Sequence, residues 1–396
     1  MIWLLTGCVA PPVMTPSDPE RLPAPPVPQA PPQQTVSGSP QAVIAAEGTT
    51  GALPLLVHFD GGASLGLGLS FSWELDGEPV GTGSTYAHTW LGSGDSVVAL
   101  TVTDEDGARA TAEQQVRVVP AQCPTTGLQD VPGQVAYAAL HEISGIGHSR
   151  HNPGVLWVHN DTSTGTPRQL HALDETGALL GEFPFDNDHG DWEDMAVGTD
   201  VTGAPILYVG SFGNNSFDRT FLSILIVDEP VVPLGHRIDA ELPFREMEFE
   251  YPSGSYNSEA LMFDPQTGAL LVLTKSGSGR SHLFSAAAPH DEDVVELEEL
   301  AIIDFGGPPL SGGTVTGASI SPLGDQIVVR TYAETAYVFL RDASFPLVDA
   351  LTTSTPCPID LRGESQGEAI DFSLDGGALI TISEGHTPPV NRTFLN

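Results

Sequence analysis

The sequence predicts an all-β protein, a β-sandwich followed by a β-propeller. Three observations carry that prediction. The 396 residues hold 43 Gly and 34 Pro, which cut the chain into short segments. Those segments alternate apolar and polar residues with the two-residue period of strands. From about residue 140 a four-strand pattern recurs every ~50–65 residues, as propeller blades do.

Charge narrows the function classes. There are 14 Lys+Arg against 51 Asp+Glu, a formal net charge of -37. Such a surface repels phosphate backbones, so no nucleic-acid partner is expected. It suits an extracellular protein that meets salt or divalent cations.

Residues 1–40 read as a signal remnant and tether. In "MIWLLTGCVAPPV", Leu5-Thr6-Gly7-Cys8 resembles a bacterial lipobox, which implies lipidation at Cys8. No basic n-region precedes it. The Pro-rich stretch that follows cannot bury a core and reads as an extended spacer. No run of about 20 apolar residues is present, so membrane contact is expected only through the lipid. The expected location is the bacterial cell envelope or the medium outside it, and the expected state is a monomer.

Residues 41–120 predict about seven short strands, hence a β-sandwich. "HFDGGAS", Trp73 in "FSWELDG" and "ALTVTDEDGA" resemble a PKD domain, an Ig-like module. The resemblance implies a spacer or contact module. Gly62–Gly66 also fits the G-x-S-x-G pattern around Ser64, but that motif needs a strand–turn–helix context, which a sandwich loop does not offer.

Residues 121–396 carry the repeat. "EISGIGHSRHNPGVLWVHND", "DWEDMAVGTDVTGAPILYVGSFG", "NSEALMFDPQTGALLVLTKS", "VTGASISPLGDQIVVRTYAE" and "QGEAIDFSLDGGALITISEG" each form a strand, a turn and a second strand. Third strands follow all five. Fourth strands follow the first four, "FPLVDALTT" serving the fourth unit. The expected closure pairs "GQVAYAALHE" with the last unit, leaving no open edge. Five blades are expected, with six as the alternative if the stretch between Phe185 and Asn257 hides another. Closure would bring Cys123 and Cys357 into neighbouring blades, where a disulfide is expected.

In such a meander the start of each first strand and the end of each second lie at one end of the channel. The starts carry Ser144, Glu193, Glu259, Gly317 and Glu368. The ends carry Asn160, Asp161, Ser211, Lys275, Arg330 and Glu384. Three readings stay open: an ion-pair network that ties blades together, a Ca²⁺ site of glutamates and Asn160, or a pocket gripping an anionic or ester substrate through Lys275 and Arg330. His159, beside Asn160 and Asp161, is the candidate acid or base. A second acidic group, Asp186, Asp188 and Asp191, lacks EF-hand spacing. The histidines His141, His148, His151, His159, His171 and His189 offer only a weak zinc pattern.

Taken as a set, "EISGIGHSRHNPGVLWVHND", "DWEDMAVG", "LYVGSFGNN", "SEALMFDPQTGALLVLTKS" and "QGEAI" resemble a family of secreted bacterial β-propellers of poorly defined function. The pattern is more distantly similar to esterase-like-phytase and regucalcin-type propellers. The regucalcin resemblance implies metal-ligand roles for Glu193, Glu259 and Glu368. Where relatives carry Asp, this chain has Ser211, Asn214, Asn257 and Ser319. Two functions follow: an anchored surface protein whose axial pocket binds an extracellular ligand or a divalent metal, or a metal-assisted esterase, lactonase or phosphatase with His159 or Asp161 as base.

Overall fold

The computed structural model describes residues 39–162, 167–186, 190–219, 221–305, 313–364 and 366–396. Cys8, Asp188 and His189 lie outside the described residues.

The N-terminal part is two packed antiparallel-rich sheets. One pairs Ala45–Ala46, Leu55–Asp60 and Thr85–Trp90; the other orders Thr50–Ala52, Arg109–Val119, Gly94–Thr103, Ser70–Leu75 and Glu78–Thr82. Alternate residues face inward, and Val57, Phe59, Trp73, Val98, Leu100 and Val102 are buried between the sheets. The Trp73 indole donates to Gly83 O at 2.9 Å. Asp76 (φ 50°) and Gly77 (φ 89°) make the tight turn between the last two strands, the pair of left-handed residues that matches strand twist. The Ser64 hydroxyl exchanges hydrogen bonds with the backbone of Val43, so it staples two loops and forms no nucleophile elbow.

The remainder is a propeller-like ring of five sheets. Sheet I orders Ile143–His148, Val155–Asn160, Gln169–Asp174 and Leu179–Pro184. Sheet II orders Trp192–Thr199, Pro205–Ser211, Ser223–Asp228 and Arg245–Glu250. Sheet III orders Asn257–Phe263, Leu270–Lys275, Arg280–Ala286 and Glu298–Asp304. Sheet IV orders Val315–Ile320, Gln326–Thr331, Thr335–Leu340 and Cys357–Asp360. Sheet V orders Gly367–Phe372, Ala378–Ser383, Pro389–Leu395 and, outermost, Thr126–Gln134. Each first strand packs against the next, and that of sheet V returns to that of sheet I, so the five innermost strands close a ring. Their residues are almost all buried, as strands covered on both faces must be.

Two expectations are corrected. The closing strand is Thr126–Gln134, which shares only Gly133 and Gln134 with "GQVAYAALHE" and otherwise lies upstream of it. The stretch "FPLVDALTT" contains a helix, Leu347–Thr352, and the fourth strand of sheet IV is Cys357–Asp360. Pro346 opens that helix, and Leu351 and Ala350 are buried with Leu347 packed beside them, an i, i+3, i+4 spacing. The long stretch after Phe185 holds sheet II and one short extra strand, Ile238–Asp239, added in parallel to sheet I. Cys123 and Cys357 are disulfide-bonded, with Cα atoms 5.4 Å apart. The bond ties the lead-in of the closing strand to sheet IV. The sandwich meets the ring where Asp342 accepts from Ser93 N at 3.0 Å and Ala343 N donates to Leu91 O at 2.8 Å.

Candidate functional site

Every innermost strand of the ring carries a β-bulge at its start. Ladder pairing skips Ser144, Glu259, Thr316 and Glu368, and in sheet II the pair Glu193–Asp194. An unpaired bulge residue is re-aimed out of the sheet, which turns three glutamates toward one mouth of the ring. Sheet IV presents Thr316 there rather than Gly317, whose added Cβ would lie 2.3 Å from Glu368 O. Thr316 donates its hydroxyl to Gly367 O at 2.9 Å.

The second strands supply the opposing set, and register decides which residues belong to it. Asn160, Ser211, Thr274, Thr331 and Ser383 pair with the residues just before or at the bulges. One step beyond them come Asp161, Phe212, Lys275, Tyr332 and Glu384. One step before the paired residues come His159 and Arg330. Asp161, Lys275, Tyr332 and Glu384 share the mouth, whereas His159 and Arg330, two residues earlier on the same face of their strands, lie about 6–7 Å deeper in the ring.

Three expectations fail on this register. Arg330, expected to steady an anion, is 1% exposed; it donates to Glu364 Oε2 at 2.9 Å and to Ala369 O at 3.1 Å. Glu364 also accepts from Thr381 and from Asn391 at 2.6 Å, a network joining sheets IV and V that leaves only Arg330 Nε without a partner among the described residues. Gly367 makes the room, since a Cβ there would sit 1.7 Å from Arg330 Nη2. His159, the expected acid or base, is fully buried under Gly145 and edge-on to Trp192. Burial lowers its pKa to about 4, so it stays neutral inside the sheet. Asn160 spends its amide on Glu142 N at 3.2 Å and Ala139 O at 2.7 Å.

The mouth itself is a chain of contacts. Glu259 Oε1 accepts from Lys275 Nζ at 3.0 Å and from Asn257 Nδ2 at 2.9 Å. The Lys275 ammonium lies 5.2 Å from the Tyr332 ring centre. Tyr332 donates its hydroxyl to Glu368 Oε1 at 3.2 Å. Burial, then the charge of Glu368 and a hydrogen bond to it, raise the Glu384 pKa to about 7. Two of the glutamates with implied metal roles thus have other partners: an ammonium bonds one oxygen of Glu259 and a phenol one oxygen of Glu368.

Glu193 has other company. One carboxylate oxygen each from Asp161, Asp191 and Glu193 lies within 4.8 Å of the others. Two oxygens bound to one Ca²⁺ at about 2.4 Å are at most ~4.8 Å apart, so the spacing fits one hard cation. Gly213 forms the floor: a Cβ there would come within 2.0 Å of Glu193 Oε1 and 2.6 Å of Asp191 Oδ2. Asp161 Oδ1 is buried and has no hydrogen-bond partner. Burial and then the Asp191 charge raise the Asp161 pKa to about 7. Burial, with Glu259, Asp161 and Asp191 behind it, holds the Glu193 pKa well above the carboxylate range. The nearby guanidinium of Arg219 donates to Gly213 O at 2.5 Å and Ser211 O at 3.3 Å, so it serves backbone carbonyls rather than these carboxylates. No histidine joins a metal-ligating group among the described residues.

A comparison with family models finds no match, and no curated protein matches. Among solved structures, the chain is similar to an auxiliary nutrient binding protein from Bacteroides ovatus, at 11% identity and TM-score 0.34 over 88% of this chain and 85% of that one. It is also similar to the WD40 repeats of RRP9, at 9% identity and TM-score 0.33 over 86% and 88%. The fold rests on the strand pairing, not on these likenesses.

Proposed function

We propose that the chain is an exported binding protein whose five-bladed propeller holds one divalent cation, Ca²⁺ by its donor chemistry, at the mouth of the ring. Asp161, Asp191 and Glu193 hold the ion, and the Lys275–Glu259 pair borders it. The PKD-like sandwich acts as a spacer, and lipid at Cys8 with the Pro-rich segment tethers it to the cell envelope.

One observation carries the reading: three converging carboxylates, one deeply buried, with no ammonium or guanidinium in ion-pair contact with any of them among the described residues. Packed carboxylates raise each other's pKa unless a cation compensates them, and all-oxygen donors select hard ions such as Ca²⁺. Hydrolysis has less support, because His159 is buried away from the mouth.

Calorimetric titration of chelator-treated protein with Ca²⁺ tests it. One saturable site per chain is expected, and Asp191→Asn should weaken it at least tenfold. A flat titration, or unchanged affinity in Asp191→Asn, contradicts the reading.

A further inference from the structure

A second cavity lies at the other end of the ring from the acidic mouth. It is a cleft of about 700 Å³ between sheets II and III, at the ends of their first strands. That volume falls in the range of small-molecule sites, ~300–1,000 Å³. Its wall is aromatic and aliphatic: Ile206, Tyr208 and Phe263 are buried, and Phe244 lines it too. The Tyr208 and Phe263 rings stack with centroids 5.7 Å apart, and His290 meets Tyr208 edge-on.

One cation enters this apolar cleft, Arg245 from the outer strand of sheet II. Its Nη1 is buried and has no hydrogen-bond partner. A desolvated guanidinium nitrogen without an acceptor costs free energy. In a chain of net charge -37, carboxylates to satisfy it are abundant, yet among the described residues none bonds Nη1. Three acids line the same cleft. Asp200 is fastened in its own turn by Thr202 and Ala204, while Asp228 and Asp291 are exposed.

We propose that this cleft binds a small aromatic monocarboxylate. The ring lies along Tyr208, Phe263 and Phe244, and the carboxylate accepts from the Arg245 guanidinium. The exposed acids repel a second negative charge, which selects a monoanion over a dianion. The site is separate from the cation-binding mouth and does not depend on it.

Titration of the full chain with 2-naphthoate, 2-naphthylmethanol and 2,6-naphthalenedicarboxylate, with chelator and with Ca²⁺, tests the proposal. Saturable binding of 2-naphthoate is expected, at least tenfold tighter than the alcohol and the dianion and indifferent to Ca²⁺. Arg245→Gln should weaken 2-naphthoate at least tenfold and leave the alcohol unchanged. Absence of saturable binding, equal affinity for acid and alcohol, or a folded Arg245→Gln that binds 2-naphthoate normally overturns it. Should Arg245→Gln not fold, the ranking of the three probes on the unmodified chain decides.

Discussion

Lys275 reaches from the end of one strand to Glu259 at the bulge of its neighbour, with Nζ 3.0 Å from Oε1 and the carboxylate side chain 1% exposed. That pair engages the ammonium of the mouth. Glu259 thus has a cationic partner in contact, whereas no ion pair among the described residues joins Asp161, Asp191 or Glu193. The Lys275 pKa is raised, because Glu259 and Tyr332 outweigh the desolvation that opposes its charge.

Removing one partner of this pair should therefore be costly. Lys275→Met is expected to lower folding free energy by about 3 kcal/mol, the low end for a broken buried pair, since Lys275 is partly exposed. The double variant Lys275→Met/Glu259→Gln should recover part of the loss. Urea denaturation of both and of Glu259→Gln measures the coupling; strictly additive losses would show that the two side chains do not act as a pair.

The raised carboxylates set a pH dependence. Asp161, Glu259 and Glu384 have pKa values of about 7, above the ~4 of the unfolded chain. The folded protein thus binds more protons in the window between about 4 and 7, and their contribution to stability is lost as pH rises through 7. Metal-free protein should melt at higher temperature at pH 5 than at pH 8. Saturating Ca²⁺ should reduce the difference by the share that Asp161 and Glu193 contribute, with proton release on binding near pH 6.5. Equal melting temperatures of the metal-free protein at both values would remove the electrostatic basis of the site.

Arg330 predicts the opposite division between stability and binding. Arg330→Met strands Glu364 inside the ring and should cost about 3–5 kcal/mol, yet leave Ca²⁺ affinity within twofold. Gly367→Ala, which drives a Cβ against Arg330, should also destabilise without touching the mouth. Loss of Ca²⁺ binding in a folded Arg330→Met would return Arg330 to the site.

The disulfide closes a loop of 234 residues in sequence separation and anchors the strand that completes sheet V. Cys123→Ser/Cys357→Ser should lose about 2–5 kcal/mol. Native-state hydrogen exchange should show Thr126–Gln134 opening first. Uniform loss of protection across all five sheets would argue that the bond does not staple the closure.

Much of this architecture was legible in the sequence. The repeated strand–turn–strand units mark where each sheet begins, and an acidic or small residue at each start marks the bulge. The closing strand and the helix Leu347–Thr352 were less legible, because a short apolar run does not distinguish strand from helix. At the site, Glu193, Glu259, Glu368, Asp161, Lys275 and Glu384 were visible by position. Arg330 and His159 lie two residues short of the mouth, on the same face of their strands but deeper in the ring, a difference of depth that the sequence pattern does not mark. Tyr332, the register equivalent of Lys275, was hidden because it shares no chemistry with it. Asp191 was visible only as part of an acidic turn; its approach to Asp161, thirty residues away, depends on how sheets I and II meet.

The most direct test of the cation-binding mouth is thermal melting of the full chain in chelator and then in excess Ca²⁺, alongside Glu193→Gln. At a hundredfold excess over the dissociation constant, binding to the folded state alone adds about 2.7 kcal/mol. That predicts a rise of roughly 3–5 °C for the unmodified chain and none for Glu193→Gln. Identical melting curves of the unmodified chain in chelator and in Ca²⁺ would contradict it.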